Sequence, residues 1–142
     1  MAQIRHSITI DASQEKVYPL VSTAKGFSKW WAADATEKGG IVELGFFKRA
    51  TVYQLELTKN VPPNEVEWAC LSGQEWKGTR IRFSMSSGSG KTIVKFTHAD
   101  WKAETDYFVS CTTTWGELMF RLKGVAEGKS PGPLFSADGL AY

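Results

Sequence analysis

The side chain best suited to acid–base chemistry in this sequence is the imidazole of His98, which ends an alternating apolar segment that begins near Ile93. Histidine changes its charge near neutral pH, so His98 is a weak candidate for a catalytic proton donor or for a polar group that anchors a ligand. The alternative is a structural histidine that forms local hydrogen bonds at the end of a strand and holds the following turn. The residues themselves leave both roles open.

The sequence lacks the residue patterns of a metal site, a phosphate-binding loop, a cysteine nucleophile and a catalytic carboxylate pair. No His, Cys or carboxylate ligands recur at the spacing of a zinc site. The stretch SSGSGK is a turn between strands and lacks the strand-to-helix context of a phosphate-binding loop. Cys111 lies among threonines on an apolar stripe, which favours a buried thiol over a nucleophile. The carboxylates on strands fall on outward faces: Glu43, Glu56, Glu65 and Glu67. The sequence therefore predicts no metal and no cofactor, and it favours a role without catalysis.

An aromatic set on the inward faces of the predicted elements is the best candidate for a binding site. Pockets for small molecules are mostly apolar with a few polar groups, and this set has that composition. The alternative is an ordinary packed core, because aromatic residues are often buried. The inward set comprises Tyr53, Trp68, Phe83, Phe96, His98, Phe108, Cys111 and Trp115.

The elements that would position these side chains follow from periodicity. Six segments alternate with a period of two and predict strands, at about residues 4–10, 40–46, 53–58, 65–70, 80–85 and 93–98. Clean alternation predicts one antiparallel sheet with one covered face. A proline-free stretch from about 104 to 127 predicts the covering helix, whose apolar stripe is Phe108, Cys111, Trp115, Leu118, Met119, Leu122 and Ala126. The fold class is α+β.

Composition limits the partners and the location. The chain has 142 residues, a formal charge of +2 and dispersed Lys and Arg, which disfavours nucleic acid as a partner. No apolar run approaches the roughly 20 residues of a membrane helix, so we expect no membrane partner. The N-terminus lacks the apolar core of a signal peptide, so we expect a cytoplasmic protein. One domain over residues 1–128 and a Gly/Pro-rich tail over 129–142, expected to be loop, complete the organisation.

Two short helices are predicted between the first two strands. Ser13 is a plausible N-cap of the first helix, Pro19 should make it irregular, and Gly26 is a plausible end. The stretch FSKWWA then forms the second helix, with Trp30 and Trp31 adjacent. Neighbouring residues of a helix point about 100° apart, so the two rings must face different surroundings.

Three stretches resemble the SRPBCC (START-like, helix-grip) superfamily, in the branch of homologues of the activator of the ninety-kilodalton heat-shock-protein ATPase. They are DASQEKVYPLVSTAKGFSKWWA at the start, VKFTHADW in the last strand, and TTWGELMFRLKGVAEGKSPGP in the terminal helix and tail. The resemblance implies a curved six-stranded antiparallel sheet, with two short helices after the first strand, wrapped around the long C-terminal helix. A cavity is expected between sheet and helix, with Trp31 turned toward it and Trp30 packed against the sheet edge.

The resemblance also ranks the functions. It favours binding of a small hydrophobic or aromatic molecule, with a co-chaperone-like or regulatory interaction module second and a cyclase or lyase for an aromatic or polyketide substrate third. In the third case His98 would be the acid–base group, although the branch's histidine at this position favours the structural role. The implied adjacency of the first and last strands also raises the possibility that His6 approaches His98.

A second face of the terminal helix carries an exposed aromatic side chain. Val109, Thr113, Gly116 and Phe120 form a thin apolar line away from the main stripe. Either the tail, with Leu134 and Phe135, covers Phe120, or a protein partner or second subunit does. The nearness of the tail in sequence favours the tail.

Overall fold

The structure is a computed structural model that describes residues 2–136 and 139–140. Three helices and nine strands follow one another along the described chain. In order they are β1 (Ala2–Ile10), α1 (Gln14–Ser22), α2 (Ala24–Trp30), β2 (Asp34–Lys38), β3 (Ile41–Phe46), β4 (Thr51–Val61), β5 (Glu65–Cys70), β6 (Arg80–Gly88), β7 (Lys91–Trp101), α3 (Asp106–Ala126), β8 (Phe135–Ser136) and β9 (Gly139–Leu140).

The main sheet has seven strands in the order β1-β7-β6-β5-β4-β3-β2, and every neighbouring pair is antiparallel. The antiparallel sheet is confirmed, but the prediction of six strands is wrong. The additional strand is β2, which pairs only with β3 and whose sequence DATEK has a single apolar residue, Ala35. An edge strand with one small apolar residue leaves no period of two in the sequence.

The two short helices pack unusually close together. Ser13 caps α1 as predicted, accepting a hydrogen bond from the backbone N–H of Lys16. The prediction that Gly26 ends this helix is wrong: Thr23 caps α2, and Gly26 lies inside α2. A Cβ at Gly26 would lie 2.1 Å from the carbonyl oxygen of Pro19. The glycine is therefore needed for the contact between helices, not for a helix end.

The long helix α3 covers the sheet. Thr105 caps its N-terminus, and the helix runs for 21 residues. The predicted apolar stripe is confirmed, since its buried residues are Phe108, Cys111, Trp115, Leu118, Met119, Leu122 and Ala126. Burial of this stripe against the concave face of the sheet forms one hydrophobic core with α1 and α2.

The tail returns to α2 instead of covering Phe120, which corrects the sequence-based expectation. The backbone N–H of Leu134 donates to the carbonyl of Trp30 (3.2 Å), and that of Phe135 donates to the carbonyl of Trp31 (2.9 Å). Leu134 is fully buried, while Phe120 stays 65% exposed. The tail is also not loop throughout, because β8 pairs with β9. The division at residue 128 stays a prediction, but Leu134 belongs to the core of the domain.

Candidate functional site

A cavity of about 580 Å³ lies between α3 and the β3–β4 end of the sheet. It is open on one side and falls within the range of small-molecule pockets. Its walls come from α3, the end of α2, strands β3 and β4, the segment between β5 and β6, and the tail. The lining residues are Trp31, Phe46, Phe47, Ala50, Thr51, Val52, Tyr53, Gly73, Gln74, Glu75, Trp76, Tyr107, Ser110, Cys111, Thr114, Trp115, Leu118 and Phe135.

Stacked rings form the inner wall. Trp76 lies between Tyr53 and Trp115, with ring centroids 4.3 Å and 6.0 Å away and interplanar angles of 22° and 19°. Trp31 completes this wall, with its ring centroid 4.9 Å from that of Trp115. The rings of Tyr53, Trp76 and Trp115 are nearly parallel, whereas the Trp31 ring is tilted by 56° to that of Trp115. A wall of flat aromatic rings is a surface against which another planar ring packs well.

The segment between β5 and β6 brings Trp76 into the wall. Gly73 has φ +105° and lies so close to the ring of Tyr53 that a Cβ would be 2.6 Å from its Cε1. Two backbone hydrogen bonds stabilise this turn. The N–H of Gly78 donates to the carbonyl of Cys70 (3.0 Å), and the N–H of Thr79 donates to the carbonyl of Trp76 (2.8 Å). The conformation is therefore one that only glycine adopts without strain at position 73.

The mouth of the cavity is formed by the turn between β3 and β4. Phe47, Lys48 and Arg49 all have positive φ, at 53°, 57° and 68°. Arg49 holds the turn by hydrogen bonds to the carboxylates of Asp34 (2.7 Å) and Glu43. The side chain of Phe47 is half exposed and meets the ring of the tail's Phe135 edge to face.

The polar groups of the cavity gather at one end. The hydroxyls of Tyr53 and Tyr107 are 2.5 Å apart. The Cys111 thiol interacts with the Tyr107 hydroxyl and with the indole N–H of Trp76. Burial raises the pKa of all three ionisable groups, the Tyr53 and Tyr107 phenols and the Cys111 thiol, so they are neutral at pH 7. Glu75, the one charged residue of the lining, accepts a hydrogen bond from Thr105 (2.6 Å).

His98 lies behind the wall, fully buried, with both ring nitrogens engaged. Its Nδ1 accepts from the indole N–H of Trp115 (3.2 Å), so the ring proton is on Nε2, which donates to the Thr79 hydroxyl (2.8 Å). That hydroxyl donates in turn to the carbonyl of Trp76 (2.6 Å). Burial lowers the pKa of His98 to about 3, so the ring is neutral at ordinary pH.

The rings of the adjacent tryptophans stack on each other, with centroids 5.9 Å apart, but their other contacts differ. Trp31 lines the cavity. Trp30 is fully buried beneath it, where its indole N–H donates to the carbonyl of Leu20 (2.8 Å) and its ring meets Phe83 edge to face. Trp30 therefore joins α2 to α1 and the sheet, and a small molecule in the cavity would not touch it.

Four of the nine sequence-predicted site residues come together at the cavity: Trp31, Tyr53, Cys111 and Trp115. The other five are buried in the core beyond its wall: Trp68, Phe83, Phe96, His98 and Phe108. Nor does His6 pair with His98, since it lies opposite Phe96 in the β1–β7 ladder.

Sequence reasoning missed Trp76, Tyr107 and Phe46. Trp76 lies in a polar stretch without periodicity, and Tyr107 lies one residue outside the stripe of α3. Their only sequence signal was a large aromatic residue in a stretch otherwise suited to the surface, which is uncommon without a structural or binding reason. Phe46 did carry the strand pattern, but its position near the open end of the sheet could not be read from that pattern.

The described residues contain no group of three or more His, Cys, Asp or Glu side chains that could hold a metal ion. Nor does any helix among them combine the length and apolarity needed to cross a membrane.

A curved antiparallel sheet wrapped around one long C-terminal helix, with a cavity between them, defines the SRPBCC helix-grip class of proteins. Within that class, residues 11–127 match the family model described as activator of Hsp90 ATPase homolog 1-like protein. The chain belongs to that family. A search of curated proteins found no match.

Solved structures agree with this assignment. The chain is 32% identical to the protein in the solution structure of the Aha1 dimer from Colwellia psychrerythraea, with a TM-score of 0.80 over 90% of this chain and 98% of that one. A protein of Staphylococcus saprophyticus shares 14% identity and a TM-score of 0.72, over 89% and 93% of the two chains. CalU16 from Micromonospora echinospora shares 16% identity and a TM-score of 0.73, over 92% and 68%. The last two show similarity of fold alone.

Proposed function

We propose that the protein binds a small hydrophobic or aromatic molecule in the cavity between the sheet and α3. The observation that carries this proposal is the cavity itself, with a volume of about 580 Å³ and a wall of stacked Trp and Tyr rings. A core that served only for stability would close over such rings, because tight packing gains dispersion and hydrophobic energy. The cytoplasmic location expected from the sequence is part of the same proposal.

Binding is favoured over cyclase or lyase activity because of the state of His98. Its two ring nitrogens are used by Trp115 and Thr79, and it does not line the cavity. A general acid or base must come within hydrogen-bond reach of the proton that it transfers. The phenols and the thiol at the polar end are neutral, and the one carboxylate of the lining, that of Glu75, already accepts a hydrogen bond from Thr105 (2.6 Å).

A matched pair of cavity variants tests the proposal. Thr114 lines the cavity, whereas the preceding residue of the same helix, Thr113, is exposed. Thr114→Phe should fill the cavity, and Thr113→Phe should leave it open. With 2-ethylnaphthalene as the probe, ligand at about 100 times its Kd should stabilise the native state by about 2.7 kcal/mol.

We expect a rise in Tm for the wild-type protein and for Thr113→Phe, and little or none for Thr114→Phe. The absence of a rise with any apolar probe would overturn the proposal. An equal rise in all three proteins would show that the probe binds elsewhere.

A second candidate is a protein-interaction module, as the family description suggests, and an exposed face of α3 supports it. Phe120 is 65% exposed beside a groove of about 310 Å³, which Arg121, Lys129 and Pro131 help to line. The solved relative from Colwellia psychrerythraea is described as a dimer. A large exposed aromatic side chain next to a groove is a common feature of interfaces.

The partner on this face would be a second copy of the chain or another protein, such as a heat-shock ATPase. Phe120→Glu should then abolish self-association in sedimentation velocity, or abolish stimulation of such an ATPase. Val61→Glu places the same charge at an exposed apolar site on β4 and is the matched control. A monomer that stimulates no ATPase before mutation would contradict this candidate.

A further inference from the structure

The cavity carries hydrogen-bond donors whose protons lack a strong acceptor. The indole N–H of Trp76 has no nitrogen or oxygen acceptor among the described residues, although Trp76 is only 5% exposed. The Cys111 thiol lies beside it, and sulfur is a weak acceptor. A buried N–H in this state costs free energy, which a ligand that supplies an acceptor would recover.

The two tyrosine hydroxyls supply a second donor at the same end. One hydroxyl donates to the other across the 2.5 Å contact, which uses one of their two protons. The remaining proton has the Cys111 thiol or a ligand as its partner. The Tyr53 ring stacks on that of Trp76, with ring centroids 4.3 Å apart, so these donors lie close to one spot in the cavity wall.

The charges around that spot select against ions. No Lys, Arg or His lines the cavity among the described residues, and its one charged residue is the carboxylate of Glu75. An anionic ligand would therefore be desolvated without a cation to pair with. A cation would be attracted by the aromatic faces and by Glu75, but it would leave the Trp76 N–H without an acceptor.

We propose that the cavity selects an uncharged aromatic molecule that carries a hydrogen-bond acceptor oxygen, such as an aryl ketone, and that Trp76 and the Tyr53–Tyr107 hydroxyl pair bind that oxygen. The rings of Trp31, Trp76 and Trp115 hold the planar part of the molecule. This inference rests on the proposed function and adds to it the chemical class of the ligand.

Four probes with the same two-ring skeleton test the inference by isothermal titration calorimetry. They are 2-acetylnaphthalene, 2-ethylnaphthalene, 2-naphthoate and the (2-naphthyl)trimethylammonium ion. The ketone and the ethyl compound have nearly the same shape and differ in the acceptor oxygen. We expect the ketone to bind about tenfold more tightly than the ethyl compound, as one or two hydrogen bonds to otherwise unpaired donors would give, and both ions to bind more weakly than the ketone.

Single substitutions locate the donors. Trp76→Phe removes the N–H and keeps a ring in the wall, so it should reduce the preference for the ketone to about threefold or less. Tyr107→Phe should reduce it similarly. The matched control is Trp101→Phe, because Trp101 also has a buried indole N–H without a partner but does not line the cavity. It should leave the preference unchanged.

The possible results separate this inference from the proposed function. If none of the four probes binds, both the proposed binding function and the proposed ligand class are wrong. If the ketone and the ethyl compound bind equally, or if an ion binds most tightly, the cavity binds ligands but the proposed ligand class is wrong. If Trp76→Phe and Trp101→Phe change the preference equally, Trp76 is not the donor.

Discussion

Replacing His98 should remove most of the acid sensitivity of this protein between pH 7.5 and pH 5. The ring is buried, and its pKa is lowered from 6.5 to about 3 by burial. In the unfolded chain it would titrate at its ordinary value. Between these two pH values the unfolded state binds a proton that the native state does not, so the free energy of unfolding falls as pH falls from about 6.5 toward 3.

The magnitude follows from the two pKa values. At pH 5 the unfolded state gains about 2 kcal/mol from protonating this one side chain. The geometry gives the same sign independently. Protonation of Nδ1 would set an N–H against the indole N–H of Trp115, which lies 3.2 Å away. Each would then be a buried donor without an acceptor.

Urea unfolding at pH 7.5 and 5.0, with the wild-type protein and His98→Gln, measures the effect. Glutamine is neutral at both pH values and offers one acceptor and one donor for Trp115 and Thr79. Carboxylates whose pKa is lowered by their partners, such as Glu65 and Glu127, lose their stabilisation at lower pH, below their ordinary value of 4.5. They therefore contribute little above pH 5.

We expect wild type to lose about 2 kcal/mol more than His98→Gln between the two pH values. Should the variant fail to fold, the imidazole of the native wild-type protein is followed by NMR, and its signals should not titrate between pH 7.5 and 4.5. Equal pH dependence of the two proteins, or native titration of His98 near pH 6, would refute the reasoning.

Two further predictions concern backbone geometry. Gly26→Ala places a Cβ 2.1 Å from the Pro19 carbonyl oxygen, so it should cost about 3 kcal/mol in urea unfolding. Gly116→Ala, also in a helix but with its nearest neighbour at 3.7 Å, should instead add up to about 1 kcal/mol, and equal effects would contradict the close contact at Gly26. Lys48→Gly, at an exposed position with φ 57°, should raise the free energy of unfolding by up to about 1 kcal/mol, and a loss of stability would show that the side chain of Lys48 stabilises the turn.

The fold could be predicted from this sequence because most strands have one buried face. Alternating apolar residues located six of the seven strands of the main sheet, and the apolar stripe located α3. Strand β2 was not predicted, because it lies at the sheet edge and buries little surface, so burial does not impose an alternating pattern on its sequence. The helix boundary near Gly26 was misplaced because a glycine required by a neighbouring helix resembles a glycine that ends its own helix.

The candidate site was only partly predictable, because alternation identifies the face of a strand and not the depth of a position along it. Trp68 and Tyr53 both face inward, but the indole N–H of Trp68 donates to the carbonyl of Val21 in α1 (3.0 Å), while Tyr53 lies at the open end. An inward-facing ring is therefore part of the packed core where α1 and α2 cover the sheet, and it lines the cavity only beyond them. Trp76 reaches the cavity from a turn between strands, where no periodicity applies.

The position of His98 also changes how a loss of function at this residue must be interpreted. Its hydrogen bonds fix two parts of the cavity wall: Trp115 directly, and Trp76 through Thr79. We therefore expect His98→Ala to weaken binding of 2-acetylnaphthalene several-fold, because both rings lose an anchor, and His98→Gln to restore most of the affinity. A catalytic acid would behave differently, since its removal lowers turnover while leaving ligand affinity nearly unchanged. Unchanged affinity in His98→Ala, measured by calorimetry on a variant that is still folded at pH 7.5, would contradict the positioning role and return His98 to the list of candidate acids.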